Sequence, residues 1–414
     1  MIIRKMIKKA NLSRLITPLC MLFCTYYFIA MPIEQIYKLF YQQGFSLCDF
    51  AVYYKAGVKA LQHHTVYDVT DHWQFKYSPL IAYLFGISFS KINFFYSQIL
   101  FTILIAVSWP YLIIKIIQAY SPHIRNNLPA TLRSVALIFL FLGNSFLLEL
   151  RFGQVNIIPY ALIFCFFMLY SKISHGESRG KHYFKLLALS ALWSLAFQFK
   201  LYAGIIGAYL LFKKEFKLIA LTVLITVLLD FAFLGQIHGW QFTLQENFDW
   251  LKTLAHSSAV ILNAPGNSGL RGLIARIPGI EPLYGPVWMT GLAIFLGFQY
   301  LLRKRPPLTQ LALNLSGVLV LTPLVWNYWN LLAIPTLLMI FEQNRPFSMN
   351  SSSSAKWVFA LLFLNNLLSF NFFSRCYLNP ITQLLIAIWW LRIQTQDLDL
   401  NLSHFNSTKH QIQN

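Results

Sequence analysis

Carboxylates are scarce in this chain. It has 14 Asp and Glu in 414 residues, against 33 Lys and Arg. Charged residues of both signs make up only 11% of the total, too few to cover the surface of a large soluble protein. Nucleotide-site motifs are also missing. There is no GxxxxGK[ST] and no convincing GxGxxG, so no soluble phosphate-cradling loop is expected. No HExxH occurs. His63 and His64 are adjacent and alternate around a helix, so they do not form an i, i+4 ligand pair. No Asp-rich cluster stands out, and no metal site is expected. The five cysteines (Cys20, Cys24, Cys48, Cys165 and Cys376) contain no CxxC and suggest no disulfide framework.

Long apolar runs fill the space. Apolar residues are 57% of the chain, which gives an all-α polytopic membrane protein. Runs occur near 15–31, 94–117, 132–149, 155–170, 183–199, 201–212, 218–235, 284–302, 308–326, 328–342, 357–371 and 378–392. That is a bundle of about 12 transmembrane helices. Residues 1–392 read as one integral membrane domain, and 393–414 as a polar C-terminal tail. The loop at 350–356 and this tail are expected to be disordered. Two polar connections interrupt the pattern, at 32–76 and 236–282. The net charge of +19 gathers in short loops, as positive-inside orientation requires, and does not argue for nucleic acid. The basic N-terminus preceding 15–31 reads as an uncleaved anchor with its start in the cytoplasm.

Parity is fixed by the stretch 79–90. At about 1.5 Å per residue it reaches ~18 Å, short of a ~30 Å hydrocarbon core. Treating it as a span would also push Arg125, Lys172, Arg179 and Lys181 outside. Keeping 79–90 at the outer surface, and turning 183–212 as a hairpin at Lys200, leaves the basic loops inside. The outer face then collects the first outer loop 32–93, the turn 149–156, Lys200, the second long outer loop 236–282 and the 324–330 junction.

Asp49 opens a helical pattern, 49–61, in which Phe50, Tyr53, Tyr54 and Val58 share a face. It reads either as an N-cap or as a general base at the membrane boundary. Asp68 and Asp71 read as turn caps. Lys76 reads as a snorkelling group or as a contact for an anionic substrate phosphate, and Lys200, between two apolar arms, as paired with an anion, either a protein carboxylate or a ligand phosphate. Gln154 and Asn156 suit hydroxyl-rich ligands, with helix capping by Asn156 as the plain alternative. Arg271 and Arg276, after the Gly- and Asn-rich 263–269, offer bidentate phosphate contacts or headgroup contacts.

These stretches occur in a telling order: "CDFAVYYKAG", "FKYSPL", "GQVN", "FKLY", "NSGLRGLIAR" and "LTPLVWNYW". Together, over roughly 15–345, they resemble glycosyltransferase family 87, which contains polyprenyl-phosphate-mannose-dependent mannosyltransferases of the GT-C fold. The resemblance implies a GT-C-like bundle with juxtamembrane helices in the first outer loop. It implies inverting transfer of a hexose, mannose by analogy, from a polyprenyl-phosphate sugar to a lipid-linked or glycan acceptor on the extracytoplasmic face. Asp49 matches the family's proposed base. Lys76, Lys200 and Arg271 fall at its polar and basic motif positions and are assigned to donor phosphate. Tyr53, Tyr77, Gln154, Asn156, Asn267, Trp326 and Asn327 are assigned to substrate. The donor is a substrate, and no cofactor is expected. Two departures bear on acceptor and sugar: Trp326-Asn327-Tyr328 replaces Trp-acid-His, and Asn267-Ser268 replaces Asn-Gln-Ser. The expected location is a bacterial plasma (inner) membrane, multi-pass. The rival readings are a translocator of a lipid-linked sugar or small anion, for which Asp230 would be the main coupling carboxylate, and a surface-polysaccharide polymerase or ligase.

Overall fold

The computed structural model describes residues 12–67, 74–124, 126–173, 179–261, 267, 269–275, 277–323 and 325–344. Asp68, Asp71, Arg276, the 350–356 loop, the runs at 357–371 and 378–392 and the C-terminal tail lie outside the described residues, as do Met1–Asn11.

Among the described residues the fold is all-helical, with no strand. The first helix runs as α1 (Leu12–Thr25), a π-helical turn (Tyr26–Ala30) and α2 (Met31–Tyr41). There follow α3 (Cys48–Leu61), α4 (Pro79–Ser88), α5 (Phe94–Tyr120), α6 (Leu128–Phe152), α7 (Ile157–Tyr170) and α8 (Arg179–Phe199). After a 3₁₀ turn (Leu201–Ile205) come α9 (Ile206–Phe212) and α10 (Phe216–Val227). A second π-helical turn (Leu228–Phe233) joins α10 to α11 (Leu234–His238). Then come α12 (Trp240–Ile261), α13 (Leu270–Ile274), α14 (Tyr284–Leu302) and α15 (Pro307–Leu321). The last described elements are a 3₁₀ stretch (Asn327–Ala333) and α16 (Ile334–Asn344).

Among the described residues five helices are long and apolar enough to cross a membrane: Thr17–Tyr41, Phe94–Tyr120, Leu128–Phe152, Phe216–His238 and Glu281–Leu302. Shorter apolar helices, Ile157–Tyr170 and Pro307–Leu321 among them, accompany these and pack on one another. This is a membrane protein. Its described part carries five full-length candidates, where the apolar runs alone suggest about 12 spans.

Three local features place the residues of interest. First, α4 has only 10 residues, so it reaches ~15 Å. It packs on α3 through two glycines. A Cβ on Gly57 would lie 2.6 Å from the Gly86 nitrogen, so the helices meet backbone to backbone, as small residues allow. Second, the chain reverses at Lys200, whose φ/ψ of −150°/116° end the helix. Trp193 Nε1 then donates to Ala203 O at 2.9 Å across the turn, which gives the hairpin expected from sequence. Third, the 236–282 connection is largely helical, because α12 alone takes 22 of its residues. His238 at its base meets His63 after α3, with their Nδ1 atoms 2.8 Å apart.

Candidate active site

Asp49 lies in the first turn of α3, outside the candidate spans. Leu47, not Asp49, occupies the N-cap position, and no side chain caps the helix. The expected N-cap role is therefore corrected. The Leu47 N–H is taken instead by Gln98 Oε1 at 2.8 Å, which leaves the Asp49 carboxylate for other work. Its Oδ2 accepts a hydrogen bond from Gln154 Nε2.

That bond depends on how α6 ends. Gly153 adopts φ 67°, ψ 50°, the left-handed conformation that glycine tolerates best. A Cβ there would sit 2.8 Å from Phe50 Cβ and 2.9 Å from Leu47 Cβ. The start of α3 can abut the α6–α7 turn only because position 153 is bare. The next residue, Gln154, then faces Asp49. A relay extends from it. Tyr53 donates to Gln154 Oε1 at 3.2 Å, and Tyr53 and Tyr77 share a 2.9 Å hydroxyl contact. With Tyr53 donating to Gln154, Tyr77 is the donor to Tyr53. Among the described residues the other carboxylate oxygen, Asp49 Oδ1, has no hydrogen-bond partner.

Cations approach from two sides. The Lys200 ammonium lies 4.8 Å from the centre of the Tyr77 ring and 5.3 Å from that of Trp329, within cation–π range. Lys76 is on the strap that leads into α4, and its carbonyl accepts from Trp250 Nε1 of α12 at 3.1 Å. Burial pushes the Asp49 carboxyl up to about 6, against the Gln154 hydrogen bond and the nearby Lys200 and Lys76 charges, which pull it down. Burial likewise lowers Lys76, while the Asp49 charge raises it. Asp49 is thus a carboxylate with a raised affinity for protons, close to cations that can hold an anion.

No sequence motif singles out Glu149. It is at the end of α6, is 0% exposed, and its Oε1 accepts from Asn156 Nδ2 at 2.6 Å. Its charge acts on Lys200, and the Asp49 charge acts on it. Asn156 does occupy the N-cap position of α7, but its side chain makes no cap bond and is turned to Glu149 instead. A lone acid at the end of an apolar run was the available signal. Tyr328 and Trp329 were also passed over in favour of their neighbours. Both are buried, and the Asp49 charge reaches Tyr328.

Other sequence-assigned residues sit differently. Asn267 is a staple for the second loop. Its amide donates to Pro323 O at 2.9 Å and accepts from the N–H groups of Gly269 and Val325 at 2.9 and 3.0 Å. Trp326 is half-buried against the core, and the side chain of Asn327 lies outside the described residues. The Arg271 guanidinium is 4.7 Å from the Tyr284 ring. The Asp230 carboxylate accepts from Gln198 Nε2 and faces the Leu80 N–H in the first turn of α4. It is tied to a helix start, where an anion is favoured.

A family model described as glycosyltransferase family 87 matches residues 75–335, more than half of the chain. The matched stretch contains Lys76, Tyr77, Glu149, Gln154, Asn156, Lys200, Asn267, Arg271, Trp326, Asn327 and Trp329. Asp49 and Tyr53 precede it. No curated protein and no solved structure matches the chain.

Proposed function

The chain belongs to glycosyltransferase family 87, and from that premise we propose that it is an inverting hexosyltransferase using a polyprenyl-phosphate sugar, with mannose the preferred sugar by analogy with the family. The acceptor is a lipid-linked or glycan hydroxyl. The reaction takes place on the extracytoplasmic face of a bacterial inner membrane.

The step is a single displacement. An acceptor hydroxyl oxygen attacks the anomeric carbon. The bond from that carbon to the phosphate oxygen breaks, and its electron pair leaves with the polyprenyl phosphate. The hydroxyl proton passes to Asp49, the general base. Gln154 holds one carboxylate oxygen so that the other is presented to the acceptor. Lys200 and Lys76 carry the phosphate charge that grows as the bond breaks. Glu149, held by Asn156, favours the charged form of that ammonium through its field. Tyr53 and Tyr77 orient Gln154 and floor the cation. This reading assigns Arg271 no step.

The observation that carries the proposal is the meeting of one carboxylate, raised toward neutrality, with a ring-stacked lysine across the Tyr77–Tyr53–Gln154 relay. A translocator would instead use Asp230 as a coupling carboxylate, but its Oδ2 accepts from Gln198 and the group is held at the α4 start. The test is to reconstitute the purified chain in vesicles with radiolabelled polyprenyl-phosphate mannose, and separately with the glucose analogue, then identify the labelled product by mass. A single added hexose supports the proposal. Label that crosses the bilayer without a glycosyl product supports the translocator and removes it. A product extended by a long glycan points to a polymerase or ligase.

A further inference from the structure

The second loop reads as polar in sequence because α12 mixes residue types, yet its faces are cleanly sorted. Thr243, Glu246, Asn247, Trp250 and Thr253 are buried against the protein, each 8% exposed or less. Trp240, Leu244, Phe248 and Leu251 are 55%, 47%, 53% and 56% exposed, and Ala255 is exposed on the same side. Gln241, Gln245, Lys252 and His256 are exposed and Asp249 is half-exposed. These last pair among themselves: Gln245 Nε2 donates to Asp249 at 2.9 Å, and Lys252 Nζ is 3.3 Å from Asp249. At about 100° per residue the three sets fall in three separate sectors of the helix, each roughly a quarter to a third of its circumference. One sector meets protein, one is apolar and open, and one is polar and open.

A helix immersed in water has no use for the second sector, and a spanning helix has no use for the third. The helix also leaves the candidate span Phe216–His238 through a single residue, Gly239, whose φ of 88° and ψ of 143° break the helix. It therefore begins where the bilayer ends, with a tryptophan first, the side chain enriched at that depth.

We infer that α12 lies flat in the lipid–water boundary of the membrane, with Trp240, Leu244, Phe248 and Leu251 dipped among the acyl chains and headgroups and the Gln245–Asp249–Lys252 stripe in water. This is the geometry of an interfacial helix. Its third face straps the first loop. Glu246 Oε2 accepts from the Val66 N–H at 3.1 Å, and Trp250 donates to Lys76 O at 3.1 Å. The lipid surface thereby sets the height of the segment that carries Lys76. On the proposed reading of the site, this holds a donor-phosphate contact at headgroup level, where a lipid-borne phosphate arrives.

The test uses the full-length chain in phosphatidylethanolamine–phosphatidylglycerol vesicles. Leu244→Cys, Leu251→Cys, Gln245→Cys and Lys252→Cys are introduced singly, with the native cysteines replaced, and spin-labelled. Labels at 244 and 251 are expected to relax with oxygen dissolved in lipid, and those at 245 and 252 with a water-soluble nickel chelate. Four water-exposed labels, four lipid-exposed labels, or labels at 244 and 251 shielded from both by a second copy of the chain would each overturn the inference. Should the cysteine-free background not fold, the unmodified protein is photolabelled with an aryl diazirine dissolved in the bilayer. Adducts on Leu244, Phe248 and Leu251 support the inference, and their absence refutes it. Neither readout needs catalysis, so failure here and failure of the transferase proposal are distinguishable. The corollary for Lys76 is read separately. Leu244→Glu with Leu251→Glu should raise KM for the polyprenyl-phosphate donor at least tenfold while leaving the acid limb of kcat/KM in place; an unchanged KM would refute the coupling.

Discussion

Gly153→Ala tests whether the site depends on the close approach of α3 to the α6–α7 turn. Two costs can be worked out. A side chain in the left-handed conformation at φ 67° costs roughly 1–2 kcal/mol. The new Cβ would also lie 2.8 and 2.9 Å from Phe50 Cβ and Leu47 Cβ, whereas carbon atoms rest at about 3.5–4.0 Å. Both neighbours are main-chain-anchored Cβ atoms, so relief must move the start of α3 by ~0.6–1.2 Å. That motion carries Asp49 away from Gln154. A misplacement of about 1 Å costs up to ~100-fold in rate. Expected together are a stability loss of about 1–3 kcal/mol, measured by thermal unfolding in detergent, and a 10- to 100-fold fall in kcat/KM for transfer, on the order of what such a displacement costs. Gly153→Asn separates the two effects. Asn tolerates the left-handed conformation but keeps the Cβ, so it should recover much of the stability and little of the activity. An Ala variant with wild-type transfer rates would refute the claim that this contact positions the carboxylate.

Four further outcomes follow from the same geometry. Asp49→Asn can still accept from Gln154, so the fold should hold while kcat drops about 10²- to 10⁴-fold; unchanged turnover in that variant would exclude the base role. The base must be ionised, so kcat/KM should be flat above the Asp49 value of about 6 and fall tenfold per pH unit below it; Gln154→Leu removes a bond that favours the ionised form and should move this limb to higher pH. Lys200→Met should lower kcat about 10²- to 10³-fold, in keeping with loss of one charge-stabilising contact, and Glu149→Gln should weaken donor binding with a smaller effect on turnover, both read from initial rates against donor concentration. Asp230→Asn should retain transfer and Asp230→Leu should lose stability, because the hydrogen bonds to Gln198 and the α4 start matter and proton exchange does not; a dead Asn variant in a folded protein would return Asp230 to a coupling role.

Much of the architecture is legible in the residues because lipid imposes a linear rule. Backbone groups must be satisfied within a segment, so spans appear as unbroken apolar runs. The break at Lys200 is legible for the same reason, since a lysine inside a run marks its end. Asp49 was visible through scarcity: few carboxylates exist, and one stands at a helix start. Glu149 was harder to see. Its partner, Asn156, comes seven residues later, beyond a left-handed glycine that no run of hydropathy reports. The α12 helix was read as a polar connection, because averaging along the chain mixes three faces that differ only around the axis. The resemblance assigns Asn267 to substrate, and only the fold brings its amide to the backbone of Gly269, Pro323 and Val325.

The sequence by itself determined the solvent of this protein, the membrane character of its helices and the few polar residues worth watching, because hydropathy is a local property that burial in lipid reads segment by segment. Only the tertiary structure decided which of those residues meet. Asp49 and Gln154 are brought together by a glycine too small to keep two helices apart. Lys200 is held between one aromatic ring more than a hundred residues upstream, Tyr77, and another as far downstream, Trp329. Contacts of that kind depend on how helices cross and where they stop, and neither is written in the composition of any one of them.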